Sequence, residues 1–165
     1  MADTANARWV EALHHDVTTF TFANGRSYAD SCLAASGRVL QILPLERLIA
    51  ANWETGIMRG EPSITLEHIF DVAIPRGWML QVTLGSKYAT PGGAIAMMFV
   101  EGHHVRAPST GTCGALRPRA AIGTQIECAP DEQTESFAAK TGGLGLTVVI
   151  EWVGLHARLC QTDVP

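Results

Sequence analysis

Residues 84–105 read LGSKYATPGGAIAMMFVEGHHV, and the centre of this stretch has the pattern of a helix N-terminus. Thr90 is a favourable N-cap, and Pro91 takes the first helical position, where a missing N–H costs nothing. Gly92 and Gly93 follow without side chains, so the sequence predicts a helix whose first-turn amides are uncovered. Such amides, together with the helix dipole, favour an anion such as a phosphate. The alternative, which these residues alone leave open, is an ordinary glycine-rich loop that enters a buried helix.

The composition predicts one globular domain over residues 1–165. Apolar residues make up 47% of the chain and charged residues 17%, which is enough apolar material for a substantial core. The formal net charge is −4, and the basic residues are scattered without a basic run. This charge pattern argues against nucleic acid as a partner.

The sequence also argues against a membrane protein and a metal protein. No apolar run is long enough to span a bilayer, and the N-terminus has no basic segment followed by an apolar one, so we expect a cytoplasmic protein. The cysteines are widely spaced and have no matching histidine spacing, which predicts buried free thiols and no metal site. They are Cys32, Cys113, Cys128 and Cys160.

Strands are predicted where β-branched and aromatic residues cluster between glycine and proline. The last of them is almost continuously apolar, as in a strand that is buried on both faces. The predicted strands are residues 17–22, 38–42, 56–60, 80–83, 124–128 and 146–153.

Helices are predicted where apolar residues recur at helical spacing. The clearest one follows the N-cap Thr65 and is closed by Pro75 and Gly77. The remaining expectations are helices at residues 4–14 and 130–140, a single turn at 45–49 and an irregular segment at 106–122.

Strands and helices alternate along the chain, and glycine-containing loops stand at strand ends. These loops are residues 23–31, 85–93 and 142–145, called below the first, second and third loops. The alternation predicts an α/β fold with a mixed sheet, of α+β character. Because ligands of such sheets bind at strand ends, we expect the loops to lie on one side and share a site.

Short motifs in these loops follow one another in a fixed order. Residues 25–31 read GRSYADS and resemble GRSYGDS, residues 90–96 resemble TxGGAIA, residues 103–105 resemble the end of HGKNHHV, and residues 142–147 match GGxGLT. This set resembles the FAD-binding domain of vanillyl-alcohol-oxidase-type (PCMH-type) flavoproteins. Within that family it is most similar to the branch of decaprenylphosphoryl-ribose oxidases and related FAD-linked sugar oxidases. The resemblance covers residues 22–152, nearly the whole chain.

The resemblance implies FAD as the cofactor and a set of residues around it. Backbone amides near Gly25 and Gly93 would receive the pyrophosphate, and Arg26 would neutralise its charge. His104 is the predicted catalytic base, which would deprotonate a substrate hydroxyl as hydride leaves for the flavin. The predicted cofactor-binding residues are Gly25, Arg26, Ser27, Tyr28, Ser31, Gly85, Ser86, Thr90, Gly92, Gly93, Ala96, His103, Gly145 and Val149.

The sequence also departs from the family pattern. Ala23 and Ala29 stand where the family has glycine, which predicts either a strained loop or a rebuilt one. Residues 97–104 are one residue shorter than the corresponding family segment. We expect a truncated domain that lacks the opening βαβ unit and the C-terminal substrate domain. Such a domain would expose an apolar face for a second copy or a partner chain to cover.

Two functions are therefore predicted. The first is an FAD-dependent oxidoreductase, or its flavin domain, which oxidises the secondary alcohol of a sugar-like substrate. The second is a truncated or decayed domain without catalysis, which binds flavin weakly or not at all. Flavin absorbance of the purified protein distinguishes them.

Overall fold

A computed structural model describes residues 20–27, 39–97, 113–119, 127, 135, 143, 145 and 149–160. Within these residues the fold combines short helices with parallel and antiparallel β-pairing. It is therefore the α+β arrangement with mixed pairing that the sequence predicts. None of the helices in this part of the chain is long and apolar enough to cross a membrane.

The described strands form two sheets. They are built from β1 (Phe20–Phe22), β2 (Val39–Gln41), β3 (Leu48–Asn52), β4 (Ile57–Gly60), β5 (Trp78–Leu80), β6 (Cys113–Arg119) and β7 (Val149–Leu159). β1 and β2 pair in parallel, whereas the larger sheet has the order β3-β4-β7-β5, with β6 also paired to β7.

β7 is the central strand of the larger sheet. It has 11 residues and pairs antiparallel with β4, β5 and β6. Met58 lies opposite Leu155, and Leu80 lies opposite Ala157; all four residues are buried. Since paired residues share a face and side chains alternate along a strand, these residues lie on one face of the sheet. They form the side of the hydrophobic core that the sheet contributes.

Helix α1 (Leu66–Ala73) supplies core residues of its own. Leu66, Ile69 and Ala73 are buried in the same cluster as the apolar residues of the sheet. The Thr65 side chain accepts the amide of His68 at 3.2 Å and caps the helix. A 3₁₀ turn (Ile74–Arg76) then leads to Gly77, whose φ of 77° ends the helical segment. The helix predicted after Thr65 is therefore confirmed.

Helix α2 (Pro91–Ala96) also begins where the sequence predicts. Thr90 is its N-cap and accepts the amide of Gly93 at 3.3 Å, and Pro91 is the first helical residue. The strands predicted at residues 38–42 and 56–60 are confirmed as β2 and β4.

The first and last predicted strands are confirmed where the structure describes them. β1 lies within the strand predicted at residues 17–22, and β7 overlaps the strand predicted at 146–153 but extends to Leu159. The helix predicted at residues 4–14 lies outside the described residues. So do the strand at 124–128 and the helix at 130–140, apart from Glu127 and Glu135.

Two predictions near β4 and β5 are wrong. The turn expected at residues 45–49 gives way to β3, which begins at Leu48 opposite Gly60. The strand expected at residues 80–83 begins earlier and ends at Leu80. In both cases the strand boundary is set by its partner strand rather than by local residue preference.

The expectation of an irregular segment at residues 106–122 is also wrong, because this segment contains β6. Gly114 and Pro118 conceal the strand from a local pattern. The ladder from Cys113 opposite Leu155 to Arg119 opposite Val149 accommodates them with two register shifts. Pairing with a distant apolar strand therefore overrides weak local propensity.

Residues 61–63 connect the two sheets. The amide of Glu61 donates to the carbonyl of Arg47 at 2.9 Å. The fully buried Ser63 donates its hydroxyl to the carbonyl of Ile42 at 2.8 Å, immediately after β2. The connection between the parallel pair and the larger sheet therefore lies just beyond the end of β4.

A buried carboxylate reinforces this connection. Glu61 accepts the Arg47 amide at 2.8 Å and two guanidinium nitrogens of Arg47, Nη2 at 2.8 Å and Nε at 3.2 Å. The Glu61 side chain is 7% exposed and that of Arg47 is 68% exposed. Loss of Arg47 would leave the Glu61 carboxylate buried with fewer donors. Loss of the carboxylate would cost less, because water can solvate the exposed guanidinium.

Arg47→Ala is expected to lower the free energy of unfolding by about 1–3 kcal/mol, since it removes two donors from a buried carboxylate. Glu61→Gln should cost less, because it keeps an acceptor and leaves a guanidinium that water can reach. Chemical denaturation measures both values. Arg158→Ala, on an exposed part of β7, is the control and should stay within about 0.5 kcal/mol of wild type. A larger loss for Glu61→Gln than for Arg47→Ala would contradict this reasoning.

Gly92 packs directly against residue 62. Its amide donates to the Pro62 carbonyl at 2.9 Å. A Cβ at Gly92 would lie 2.7 Å from the Pro62 Cβ and 2.8 Å from the Pro62 oxygen. The glycine is therefore required by close approach of two backbone segments.

Gly92→Ala is expected to destabilise the protein by about 1–3 kcal/mol, the typical cost of overpacking, although alanine is the better helix former. Gly85→Ala is the matched control, because a Cβ there meets no atom of the described chain within 4 Å. It should be neutral or stabilise by up to about 1 kcal/mol through reduced freedom of the unfolded chain. Urea denaturation compares the two variants. Equal stabilities would show that Pro62 can shift to accommodate a side chain at residue 92.

Candidate cofactor site

The second loop is attached to the N-terminus of α1. The amide of Leu66 donates to the Ala89 carbonyl at 3.0 Å, and the amide of Glu67 donates to the Lys87 carbonyl at 2.8 Å. These are first-turn amides, which have no partner within their own helix. The start of α1 therefore holds the backbone of the second loop in place.

The first loop contacts the second loop through Asn24. Its side-chain nitrogen donates to the Tyr88 carbonyl at 2.7 Å, a contact between residues 64 positions apart. Gly25 follows with φ of 58°, a left-handed conformation that glycine adopts without strain. Arg26 is exposed, and its guanidinium carbon lies 5.8 Å from the centre of the Tyr88 ring. The structure thus brings the predicted residues Gly25 and Arg26 to the second loop.

Positive charge gathers around Tyr88. Lys87 Nζ lies 5.1 Å from the centre of the ring and donates a short hydrogen bond to Glu67. This hydrogen bond, together with attraction by the carboxylate, raises the pKa of Lys87 above its ordinary 10.5. A raised lysine pKa stabilises the fold below pH 10.5, and that contribution is lost as the pH rises through the folded-state pKa. At neutral pH the pair is therefore intact.

The start of α2 differs from the uncovered helix end that the sequence suggested. The Gly92 amide donates to Pro62, the Gly93 amide to the Thr90 hydroxyl and the Ala94 amide to the Thr90 carbonyl. Thr90 itself is 5% exposed. The first-turn amides already have acceptors within the protein. The premise that they are uncovered is therefore wrong, and the assignment of Gly92 and Gly93 to the cofactor stays a prediction.

Gly145, in the third loop, lies beside β1. Gly145 has φ of 75°, and its carbonyl oxygen is 3.5 Å from the Thr21 hydroxyl, the outer limit of a hydrogen bond. Val149, another predicted site residue, is the buried first residue of β7. Because β1 leads directly into the first loop, this contact places Gly145 near the start of the first loop.

The other predicted residues divide into described and undescribed groups. Ser86 accepts the Tyr88 amide at 3.3 Å within the second loop, and Ala96 is the last residue of α2. Gly85 is exposed and Ser27 is half-buried. The residues outside the described part of the chain are Tyr28, Ala29, Ser31, His103 and His104.

The contact between Asn24 and Tyr88 joins the first and second loops, and the sequence did not predict it. Asn24 was only a neighbour of the glycine motif, and Tyr88 stands in the second loop without a recognisable spacing partner. A contact between residues 64 positions apart leaves no periodic signal in one sequence. The signal that could have indicated Tyr88 is its position beside Lys87 in a loop of otherwise small residues.

The described part of the chain gives no indication of a metal centre. It contains no group of three or more histidine, cysteine or acidic side chains that could hold a metal ion. Cys160 is a free thiol but is exposed, so the expectation of a buried thiol is wrong at this position.

Comparison with known proteins gives a distant similarity. No protein-family model matches the chain. The decaprenylphosphoryl-beta-D-ribose oxidase of Mycolicibacterium smegmatis is 28% identical over 130 residues, which cover 76% of this chain. The chain spans 28% of the length of that relative. The sequence is thus distantly similar to part of an oxidase.

Asn24→Ala is expected to loosen the first loop without unfolding the protein, because one exposed hydrogen bond is worth about 1 kcal/mol. Amide hydrogen exchange of residues 23–27 should accelerate. Asn52→Ala is the matched control, since the Asn52 side-chain oxygen accepts the amides of Glu54 and Thr55 in the turn after β3. It should accelerate exchange in that turn alone. Unchanged exchange at residues 23–27 in Asn24→Ala would show that other contacts hold the first loop.

Proposed function

We propose that this chain is the FAD-binding part of an FAD-linked oxidase that acts on the secondary alcohol of a sugar-like substrate. The ordered loop motifs support this function, as does the distant similarity to decaprenylphosphoryl-beta-D-ribose oxidase. That relative is named as an oxidase of a ribose carried on a lipid phosphate. The chain spans only part of it, so the substrate is transferred here as a chemical class.

The observation that carries the proposal is the contact between the first and second loops. Both loops have motifs that resemble those of FAD-binding domains, and the Asn24–Tyr88 hydrogen bond of 2.7 Å joins them. Two loops of unrelated function need not meet. Their contact is what a shared cofactor site requires.

The first loop fits a diphosphate better than the start of α2 does. Arg26 offers an exposed cation, and Gly25 provides a left-handed turn that can aim neighbouring amides towards an anion. By contrast, the amides of Gly92 and Gly93 already have acceptors. We therefore propose that Arg26 and the first-loop backbone bind the phosphates of FAD. Gly92 instead allows α2 to pack closely against Pro62.

FAD, when bound, supplies the acceptor for the hydride that leaves the alcohol carbon. The protein has to hold the alcohol and remove its hydroxyl proton as the hydride leaves. His104 is the residue we propose for that proton, and its neighbour in sequence, His103, is a proposed cofactor-binding residue. These two roles rest on the sequence motif.

A domain without catalysis, which binds flavin weakly or not at all, is the second candidate. The hydrogen bonds of the Gly92 and Gly93 amides within the protein favour it, because a phosphate at the helix start would have to compete with them. The first candidate avoids this competition only if the first loop binds the phosphates. Flavin binding therefore decides between the two.

The proposed function requires a small-molecule cofactor and a sugar-like substrate as partners. A second copy or a partner chain over an apolar face stays a prediction, as do the cytoplasmic location and the exclusion of nucleic acid. Several large apolar side chains are exposed within the described residues. They are Val39, Ile49, Ile57, Ile74 and Leu159.

The purified protein is expected to be yellow or to quench the fluorescence of added FAD. Arg26→Gln should weaken FAD binding about tenfold, the value of a charge-assisted hydrogen bond to a phosphate. Arg158→Gln is the matched control, because Arg158 lies in β7 opposite Met79, and it should leave the dissociation constant unchanged. Titration of each protein with FAD measures the effect. No FAD binding by the wild-type protein would favour the second candidate.

A further inference from the structure

Tyr88 occupies an unusual position at the junction of the first and second loops. Its ring is exposed and has a guanidinium on one loop and an ammonium on the other within 6 Å of its centre. Its backbone is held separately, since Ser86 accepts the amide and Asn24 donates to the carbonyl. The ring is therefore not needed to hold the second loop in place.

The two cations around the ring differ in their partners. Lys87 pairs with the carboxylate of Glu67, which compensates its charge within the second loop and α1. The guanidinium carbon of Arg26 lies 5.8 Å from the centre of the ring, a distance at which an aromatic face attracts a cation. This attraction does not neutralise the guanidinium, so its charge stays available to an anion.

We propose that Tyr88 is a positioning residue for the cofactor, and that its ring holds the Arg26 guanidinium at the loop junction where it meets the diphosphate of FAD. This inference rests on the proposed function. An exposed arginine samples many rotamers, and a ligand that binds it has to restrict them. A ring that already restricts Arg26 lowers this cost and so increases affinity.

The ring and the backbone of Tyr88 can be separated by mutation. Tyr88→Phe keeps an aromatic face for Arg26, whereas Tyr88→Leu removes it. Both variants keep the Tyr88 carbonyl that Asn24 binds. Since the ring is exposed, neither substitution is expected to prevent folding, and a thermal unfolding curve of each variant checks this.

Tyr88→Leu is expected to weaken FAD binding about two- to fivefold at low salt, the typical value of an exposed contact between a cation and a ring. Tyr88→Phe should restore most of the wild-type affinity. Near 1 M salt the Debye length falls to about 3 Å, so the attraction between Arg26 and the phosphates fades. The affinities of wild type and Tyr88→Leu should then converge. A merely structural role of the ring would give a difference that salt does not change.

A second measurement reports the contact without FAD. The NMR signal of the Arg26 side-chain Nε–H in the free protein should be displaced by the ring in wild type and Tyr88→Phe, and should move in Tyr88→Leu. An unmoved signal would overturn the inference whatever the FAD titrations give. Equal FAD affinities of wild type and Tyr88→Leu at low salt would also overturn it, while leaving the proposed function intact. Failure of every variant to bind FAD, wild type included, would overturn the proposed function and this inference with it.

Discussion

The structure depends on the hydrogen bonds made by residues 61–63. Glu61 is bound to Arg47, Ser63 to Ile42 and Pro62 to Gly92. Three consecutive residues thus hold the approach to β3, the end of β2 and the start of α2. Buried polar groups need partners, and here each partner belongs to a different part of the chain. This segment therefore fixes the start of α2, where the second loop ends, relative to the parallel pair.

This constraint explains why the glycine-rich helix start is an indirect contributor to the candidate site. Gly92 lets the helix approach Pro62, and Thr90 uses its hydroxyl on the amide of Gly93. Both residues fix where the second loop ends. The loop then carries Tyr88 to the first loop, where Arg26 lies. The helix start therefore positions the end of the second loop, and the exposed positive charge of Arg26 lies where the two loops meet.

The second loop has a different neighbour on each side. The amides at the start of α1 bind the carbonyls of Lys87 and Ala89, and Asn24 binds the carbonyl between them. Backbone polar groups that would otherwise need water are satisfied on both sides. The loop is therefore held as part of the scaffold. A site built on such a loop needs little ordering when a ligand binds.

Elements that depend on local rules could be predicted from the residues alone. Thr65 and Thr90 cap helices because their hydroxyls reach amides within one turn, and the apolar run that begins at Val149 forms a buried strand because its residues have few other stable positions. The remaining features depend on contacts between segments that are far apart in the chain. β6 exists because β7 pairs with it despite Gly114 and Pro118, and the amide of Gly92 is occupied because Pro62 lies beside it. The junction of Asn24, Arg26 and Tyr88 likewise joins positions far apart in the chain. Such contacts depend on which segments the folded chain brings together, and a local pattern of residues does not contain that information.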